Sequence, residues 1–317
     1  MFGGAIGART SPTSGPREIR NPSALRKHAG EFLRSCAFVQ TLSEHIHPAE
    51  RCDPMKKPVL RAPRTLLVAA MTAVLTLTTV ALVSPAAGAA EGKIVGGSNA
   101  TTEDFPWAVN VKGQNDLQCG GTLVAPNKVV TAARCVYGWE PQDASVIAGR
   151  TDLNTDSGTI AGVRSIWIHP KFSRVDGYDV AVLSLNKNLD QRPLALAESW
   201  DDHLYTNGNQ AIALGWGHTE EYGEYSPVLQ KVTVPLTSDS YCENSYGPFY
   251  KAGTMICAGY HEGGKDTCAG DTGGPLVFGD KLVGVTSWGR GCGRADSPGV
   301  YARIQTVSQD IRDQINR

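Results

Sequence analysis

The chain has 317 residues, of which 41% are hydrophobic and 19% charged, with 35 glycines and 18 prolines. That balance can bury a core and excludes a disordered chain, a coiled coil and a collagen. The formal net charge of −1 hides a division: residues 1–93 carry 12 Lys and Arg against 6 Asp and Glu, and residues 94–317 carry 18 against 25. The acidic body excludes nucleic acid as an expected partner, because phosphates need a basic face. The cysteines divide too, with Cys36 and Cys52 in the leader and six in the body. An even set of that kind suits an oxidising compartment.

Taken in chain order, residues 1–54 show no sustained period and are rich in Ser, Pro and Arg. They read as an upstream extension, with translation starting at Met55; a genuine N-terminal tail is the competing reading. Residues 55–89 have the layout of a secretory signal peptide. Lys56, Lys57, Arg61 and Arg64 form a basic start, Thr65–Val83 an apolar run, and Ser84–Ala89 a small-residue cleavage region. The apolar run is long enough to span a bilayer, so an anchor is the alternative. Its threonines and the cleavable region after it favour secretion, with no stable membrane anchor once the signal is removed.

From Ile94 onward, short β-branched runs alternate with Gly, Pro, Asn and Asp turns. The runs are Lys128–Ala132, Val180–Leu185, Gln210–Leu214, Val228–Val234, Gly274–Phe278 and Lys281–Ser287. Each has strand length, and their close spacing predicts an all-β body, either sandwich or barrel. The tail is the one helix candidate, since Val307, Ile311 and Ile315 recur every four residues on one face. No fixed-period repeat and no second linker divide residues 94–317.

Four segments of this body resemble the trypsin/chymotrypsin family of serine endopeptidases. Ile94-Val95-Gly96-Gly97 follows Lys93. Thr131-Ala132-Ala133-Arg134-Cys135 follows Cys119-Gly120-Gly121-Thr122-Leu123. Asp179-Val180-Ala181-Val182-Leu183 lies in mid-chain. Lys265 to Pro275 reads KDTCAGDTGGP, with Ser287-Trp288-Gly289 beyond it. They fall in the family's order and cover essentially all of 94–317. The resemblance implies two packed six-stranded antiparallel β-barrels with a C-terminal helix and a cleft between the barrels. It also implies disulfides Cys119–Cys135, Cys242–Cys257 and Cys268–Cys292, where six cysteines alone leave fifteen connectivities open.

The family's catalytic triad is a base histidine, an orienting aspartate and a nucleophilic serine, in that chain order. The matching positions here are Arg134, Asp179 and Thr272. Arginine has five donors, no acceptor and a pKa above about 12, so it cannot take a proton from a hydroxyl. It can pair with Asp179. Threonine keeps a hydroxyl but adds a methyl that restricts χ1, and threonine nucleophiles depend on an activating base. Losing one triad member leaves only about 10³–10⁴-fold over water, and losing a second adds little because they act as a unit. The body's other histidines, His169, His203, His218 and His261, read as exposed loop residues, with His169 before Pro170 in a surface loop.

What the resemblance implies for binding is kept. Lys93–Ile94 matches an activation site at the end of a short propeptide, residues 90–93, to be cut by another protease. The freed Ile94 amine would pair with Asp271 and order the loop whose Gly270 and Thr272 N–H groups form an oxyanion hole. Asp266 matches a carboxylate at the base of the primary pocket, Ser287, Gly289 and Gly299 match its walls, and Trp288 lines the next subsite or is core. A carboxylate there selects Arg or Lys by charge-assisted hydrogen bonds. The chain thus reads as a secreted, extracellular protease homologue of impaired catalysis that binds peptide or protein segments with exposed Arg or Lys. The alternatives are an active endopeptidase cleaving after Arg or Lys with an altered triad, and an interaction protein that borrows only the fold. Nothing in the sequence calls for a metal or a cofactor, there being no paired-cysteine, H-E-x-x-H or phosphate-loop signature.

Overall fold

Extended β-branched segments separated by turns bury one face only if sheets close or stack. In the computed structural model, which describes residues 94–114 and 117–317, they close. The readings of the leader (extension 1–54, signal 55–89, propeptide 90–93, with Cys36, Cys52 and Lys93) lie outside the described residues.

The first barrel is built from β2 (Ala108–Lys112), β3 (Gln118–Ala125), β4 (Lys128–Thr131), β5 (Ser145–Ala148), β6 (Thr159–Ile168) and β7 (Ala181–Leu185). These close in the order β2-β3-β4-β7-β6-β5, antiparallel throughout. Closure leaves no strand edge open to a foreign chain. β4 and β7 are buried along their whole length, which is why they read as near-continuous apolar runs.

The second half pairs β9 (Gln210–Gly215), β10 (Gln230–Pro235), β11 (Met255–Ala258), β12 (Pro275–Phe278), β13 (Lys281–Trp288) and β14 (Gly299–Arg303) in the order β10-β9-β12-β13-β14-β11. A bridge between Leu236 and Ala258 rejoins β10 to β11, with Thr237 N–H donating to the Cys257 carbonyl at 3.0 Å and Gly259 N–H to that of Pro235 at 2.9 Å. Two further strands bring this sheet to eight, rather than the six the resemblance implied. They are β1 (Ser98–Asn99) on β10 and β8 (Ala195–Leu196), parallel to β13. Each is two residues long, too short to carry a period in sequence.

The described residues also form three α-helices: the one-turn α1 (Ala133–Val136), α2 (Asp239–Tyr246) and the C-terminal α3 (Ile304–Ile315). Ser238 caps α2 by accepting from Tyr241 N–H at 3.2 Å. α3 buries Val307 and Ile311 of the stripe that its four-residue spacing predicts, leaves Ile315 half-buried, and adds the buried Ile304. At its end the buried Lys128 reaches from β4 to the Gln314 carbonyl at 2.6 Å and to Ser184 Oγ at 3.0 Å. A cation there complements the negative end of the helix and ties it to the first barrel. Disulfides join Cys119 to Cys135, Cys242 to Cys257 and Cys268 to Cys292.

Ile311 is fully buried where α3 meets the core. Ile311→Ala should cost about 2–5 kcal/mol, read as a lower urea midpoint at unchanged slope.

Candidate active site

The site lies along the seam where one barrel's loops meet the other's. β4 ends at Thr131, the chain is extended at Ala132, and α1 begins at once. This brings the Arg134 N–H to Asp179 Oδ1 at 2.8 Å. Asp179 is 1% exposed and precedes β7, entered through Tyr178 at φ +53°. Its Oδ2 accepts from Arg134 Nε, and also from Ser287 Oγ at 2.6 Å. Ser287 belongs to β13, so this one carboxylate joins α1 and the first barrel to the wall of the second. The Arg134 side chain is 23% exposed, and among the described residues its two terminal amino groups have no hydrogen-bond partner.

Thr272 sits in the loop between Cys268 and β12. Its carbonyl accepts from Gly120 N–H at 2.8 Å, while Gly273 N–H donates to the Thr286 carbonyl at 2.8 Å. Gly270 and Gly273 hold φ of +93° and +87°, where a side chain would be strained. A Cβ on Gly273 would also overlap Thr131 Oγ1, so the approach of loop to barrel needs glycine there. The N–H groups of Gly270 and Thr272, and the Thr272 hydroxyl, have no hydrogen-bond partner among the described residues. The hydroxyl therefore has no base to accept its proton in this arrangement.

Asp271, between them, is fully buried. Its Oδ1 accepts from Gly217 N–H and its Oδ2 from Cys268 N–H, both at 2.8 Å. Burial pushes its carboxyl up to about 7 against the opposing pull of those two amides. Ile94 is fully buried as well, and Asp266 N–H donates to the Val95 carbonyl at 3.2 Å, which docks the start of the body against this same loop region.

Asp266, Thr272, Ser287, Trp288, Gly289 and Gly299 line one pocket of about 300 Å³. Asp266 is 2% exposed, with Oδ1 accepting from Thr267 N–H at 2.8 Å and Oδ2 from Gly293 N–H at 3.0 Å. Burial first, and the neighbouring Asp271 charge, raise its carboxyl to about 7 against those donors. A Cβ on Gly299 would come within 2.7 Å of Asp266 Oδ1, whereas one on Gly289 would meet nothing nearer than 3.6 Å. Gly299 therefore makes room for the carboxylate itself. Trp288 is half-buried, lines the same pocket and stands edge-on to Tyr246, ring centroids 4.8 Å apart.

The histidine reading needs correction at His169 and, more mildly, at His218. His169 is 3% exposed, not a surface residue. Its ring stacks on Tyr178 at 4.8 Å and meets Asp310 of α3 at 3.3 Å, so the loop folds its histidine inward beneath the helix. Burial lowers the pKa of this imidazole, opposed by Asp310. His203 and His261 are exposed. His218 is half-buried against Tyr225, its N–H donating to the Ala269 carbonyl at 2.8 Å. Among the described residues none of the four bonds to Asp179 or Thr272. The sequence offered no sign of the Ser287–Asp179 bond, whose partners lie 108 residues apart, nor of the Gly217 and Gly293 amides on the two acidic groups.

The trypsin family model matches residues 94–311, the whole region that carries this geometry. The chain belongs to the trypsin family. It is similar to a trypsin of Saccharopolyspora erythraea, 47% identical over 225 residues that cover 70% of this chain and 98% of that protein. It is also similar to the vitellin-degrading protease of Bombyx mori, 38% identical over 242 residues, covering 73% and 89%. Trypsin-family proteases act on peptide or protein substrates and are typically secreted. No described helix is long and apolar enough to cross a membrane.

Removing the carboxylate of Asp179 strands three donors at once: the Arg134 N–H, the Arg134 guanidinium and the Ser287 hydroxyl. Each buried donor left unmet costs about 1–3 kcal/mol, less where Arg134 can reach water. Asp179→Ala should therefore lower stability by about 3 kcal/mol in urea unfolding, more than a surface Asp→Ala such as Asp156→Ala.

Proposed function

We propose that this trypsin-family chain is a secreted recognition protein for segments with exposed Arg or Lys, and that it has little or no peptidase activity. The observation that carries this is the guanidinium of Arg134 on Asp179, at the position the resemblance assigns to the base. Hydrolysis of an amide by a hydroxyl needs a group that takes the hydroxyl proton and later returns it to the leaving amine. A guanidinium can do neither, since it has no lone pair to offer at any pH where the protein folds. Asp179 cannot replace it, because both its oxygens are already engaged by Arg134 and Ser287. Thr272 retains the hydroxyl and the amide donors beside it, which polarise a carbonyl but move no proton.

The binding half of the machine supports recognition. Asp266 offers a carboxylate at the end of a pocket walled by Ser287, Gly289 and Gly299, and an arginine or lysine entering it would exchange water for a charge-assisted pair. The buried Ile94 and the docked Val95 support an activated arrangement. In it, a cut after Lys93 by another protease places a charged amine by Asp271 and returns that carboxyl to its ionised form.

Two measurements test the proposal. On an arginyl anilide, the full chain cut after Lys93 should be silent, and the Arg134→His plus Thr272→Ser double variant should cleave. Hydrolysis by the unsubstituted protein, abolished by Thr272→Val, would establish an enzyme instead. Benzamidine binding should depend on pH through Asp266. The free carboxyl, raised to about 7, is protonated in acid, and the amidinium pairs only with the ionised form. Affinity should therefore rise about tenfold per unit from about pH 5 to pH 7 and then level off. Asp266→Asn should be weak and flat across that range.

A further inference from the structure

We infer that the cleft takes a chain whose last residue is arginine or lysine, with the free terminal carboxylate held at the mouth by Arg134, Gly270 and Thr272. The inference rests on the basic-side-chain reading of the Asp266 pocket and adds the group bound outside it.

The groups that Gly270, Thr272 and Arg134 leave without a partner are all able to donate. Among the described residues the Gly270 and Thr272 N–H groups, the Thr272 hydroxyl and the terminal amino groups of Arg134 have no hydrogen-bond partner. Desolvating donors without acceptors is unfavourable, so such a cluster is met best by an anion with several lone pairs. The segments that carry these groups meet. The Thr272 carbonyl is 3.4 Å from Cys135 Sγ, next to Arg134 on α1, and 2.8 Å from the Gly120 N–H beside it. Thr272 also lines the pocket that ends at Asp266, and Ser287 in the same wall bonds the aspartate that holds Arg134.

Charge decides between an internal segment and a chain end. A neutral imidazole beside Asp179 would leave that corner at −1 and repel a carboxylate. The guanidinium brings it to zero, and its partly exposed side chain still has hydrogen-bonding capacity to spend. An internal peptide presents a neutral carbonyl with one oxygen. A terminal carboxylate presents two oxygens and a full charge, and hydrogen bonds to a charged group are about twice as strong as neutral ones. A carboxylate deep in the pocket and donors at the mouth thus match a ligand with a cation on its side chain and an anion on its backbone. Chain ends of this kind are what an endopeptidase cutting after basic residues leaves behind. The reaction that must supply the ligand is therefore hydrolysis after Arg or Lys, carried out by another protein.

The experiment is calorimetry on the full chain cut after Lys93, with two peptides Ala-Ala-Gly-Arg that differ only in ending as the free acid or as the amide, and benzamidine as a third ligand. The acid should bind at least tenfold more tightly than the amide at neutral pH and low salt, and the difference should shrink as salt is raised. In Arg134→His, checked for folding by its thermal transition, acid and amide should bind alike, and Arg134→Lys should keep part of the preference. Equal binding of acid and amide by the unsubstituted protein overturns the inference while the pocket reading stands. So does a preference that survives in folded Arg134→His. If Arg134→His does not fold, the acid-to-amide ratio and its salt dependence in the unsubstituted protein decide. Failure of all three ligands to bind overturns the pocket reading itself, and this inference with it.

Discussion

A carboxylate withdrawn from water must find its donors inside the protein, and at Asp179 it finds them in both barrels. The main chain of α1, the guanidinium of Arg134 and the hydroxyl of Ser287 all converge on it. The seam is thereby pinned from both sides at a single buried charge. Gly120 and Thr272 meet across the same seam, as do Gln118 and the Trp216 carbonyl, 3.0 Å apart. A partly exposed arginine is enough to balance the charge of Asp179 at this seam. A pair of this kind holds geometry more than it adds stability, because desolvation offsets much of its attraction.

Two further buried carboxylates of the candidate site follow the same rule with a different answer. Among the described residues Asp266 and Asp271 have backbone amides for company and no side-chain cation, and burial raises both. Each is in effect a half-completed ion pair. On the proposed reading, Asp271 would take an amine brought in by the chain itself, and Asp266 a cation brought in from outside. The loops between them are rich in glycine because amides must come within hydrogen-bonding reach of a carboxylate where a Cβ would not fit, as at Gly299. On the proposed reading, binding and activation would draw on one electrostatic device used twice, whereas proton transfer would need a third that a guanidinium does not supply.

Much of this was legible in the sequence wherever a property repeats along the chain. The runs at Lys128–Ala132, Val180–Leu185 and Lys281–Ser287 are legible as strands because burial on both faces favours near-continuous apolar side chains, and β4, β7 and most of β13 have that burial. The α3 stripe is legible for the same reason at a different period. The short β1 and β8 are not, since two residues carry no period and pair only because the barrel offers them an edge. His169 misled because a histidine before proline looks like a loop tip. It is a loop residue, but Tyr178 and α3 cover it, and that cover comes from chain 9 and 141 residues away.

The sequence by itself determined the chemistry of each group: an arginine with no acceptor, a threonine with a hindered hydroxyl, acidic residues in glycine-rich loops, and six cysteines in the body. These are properties of side chains, and they hold in any fold. Only the tertiary structure decided what each group faces. It put Ser287 against Asp179 across 108 residues, left the amides of Gly270 and Thr272 without partners among the described residues, and took Asp266 and Asp271 far enough from water to raise them. Pairing, desolvation and the supply of donors are set by distances between remote parts of the chain, and no local pattern of residues encodes them.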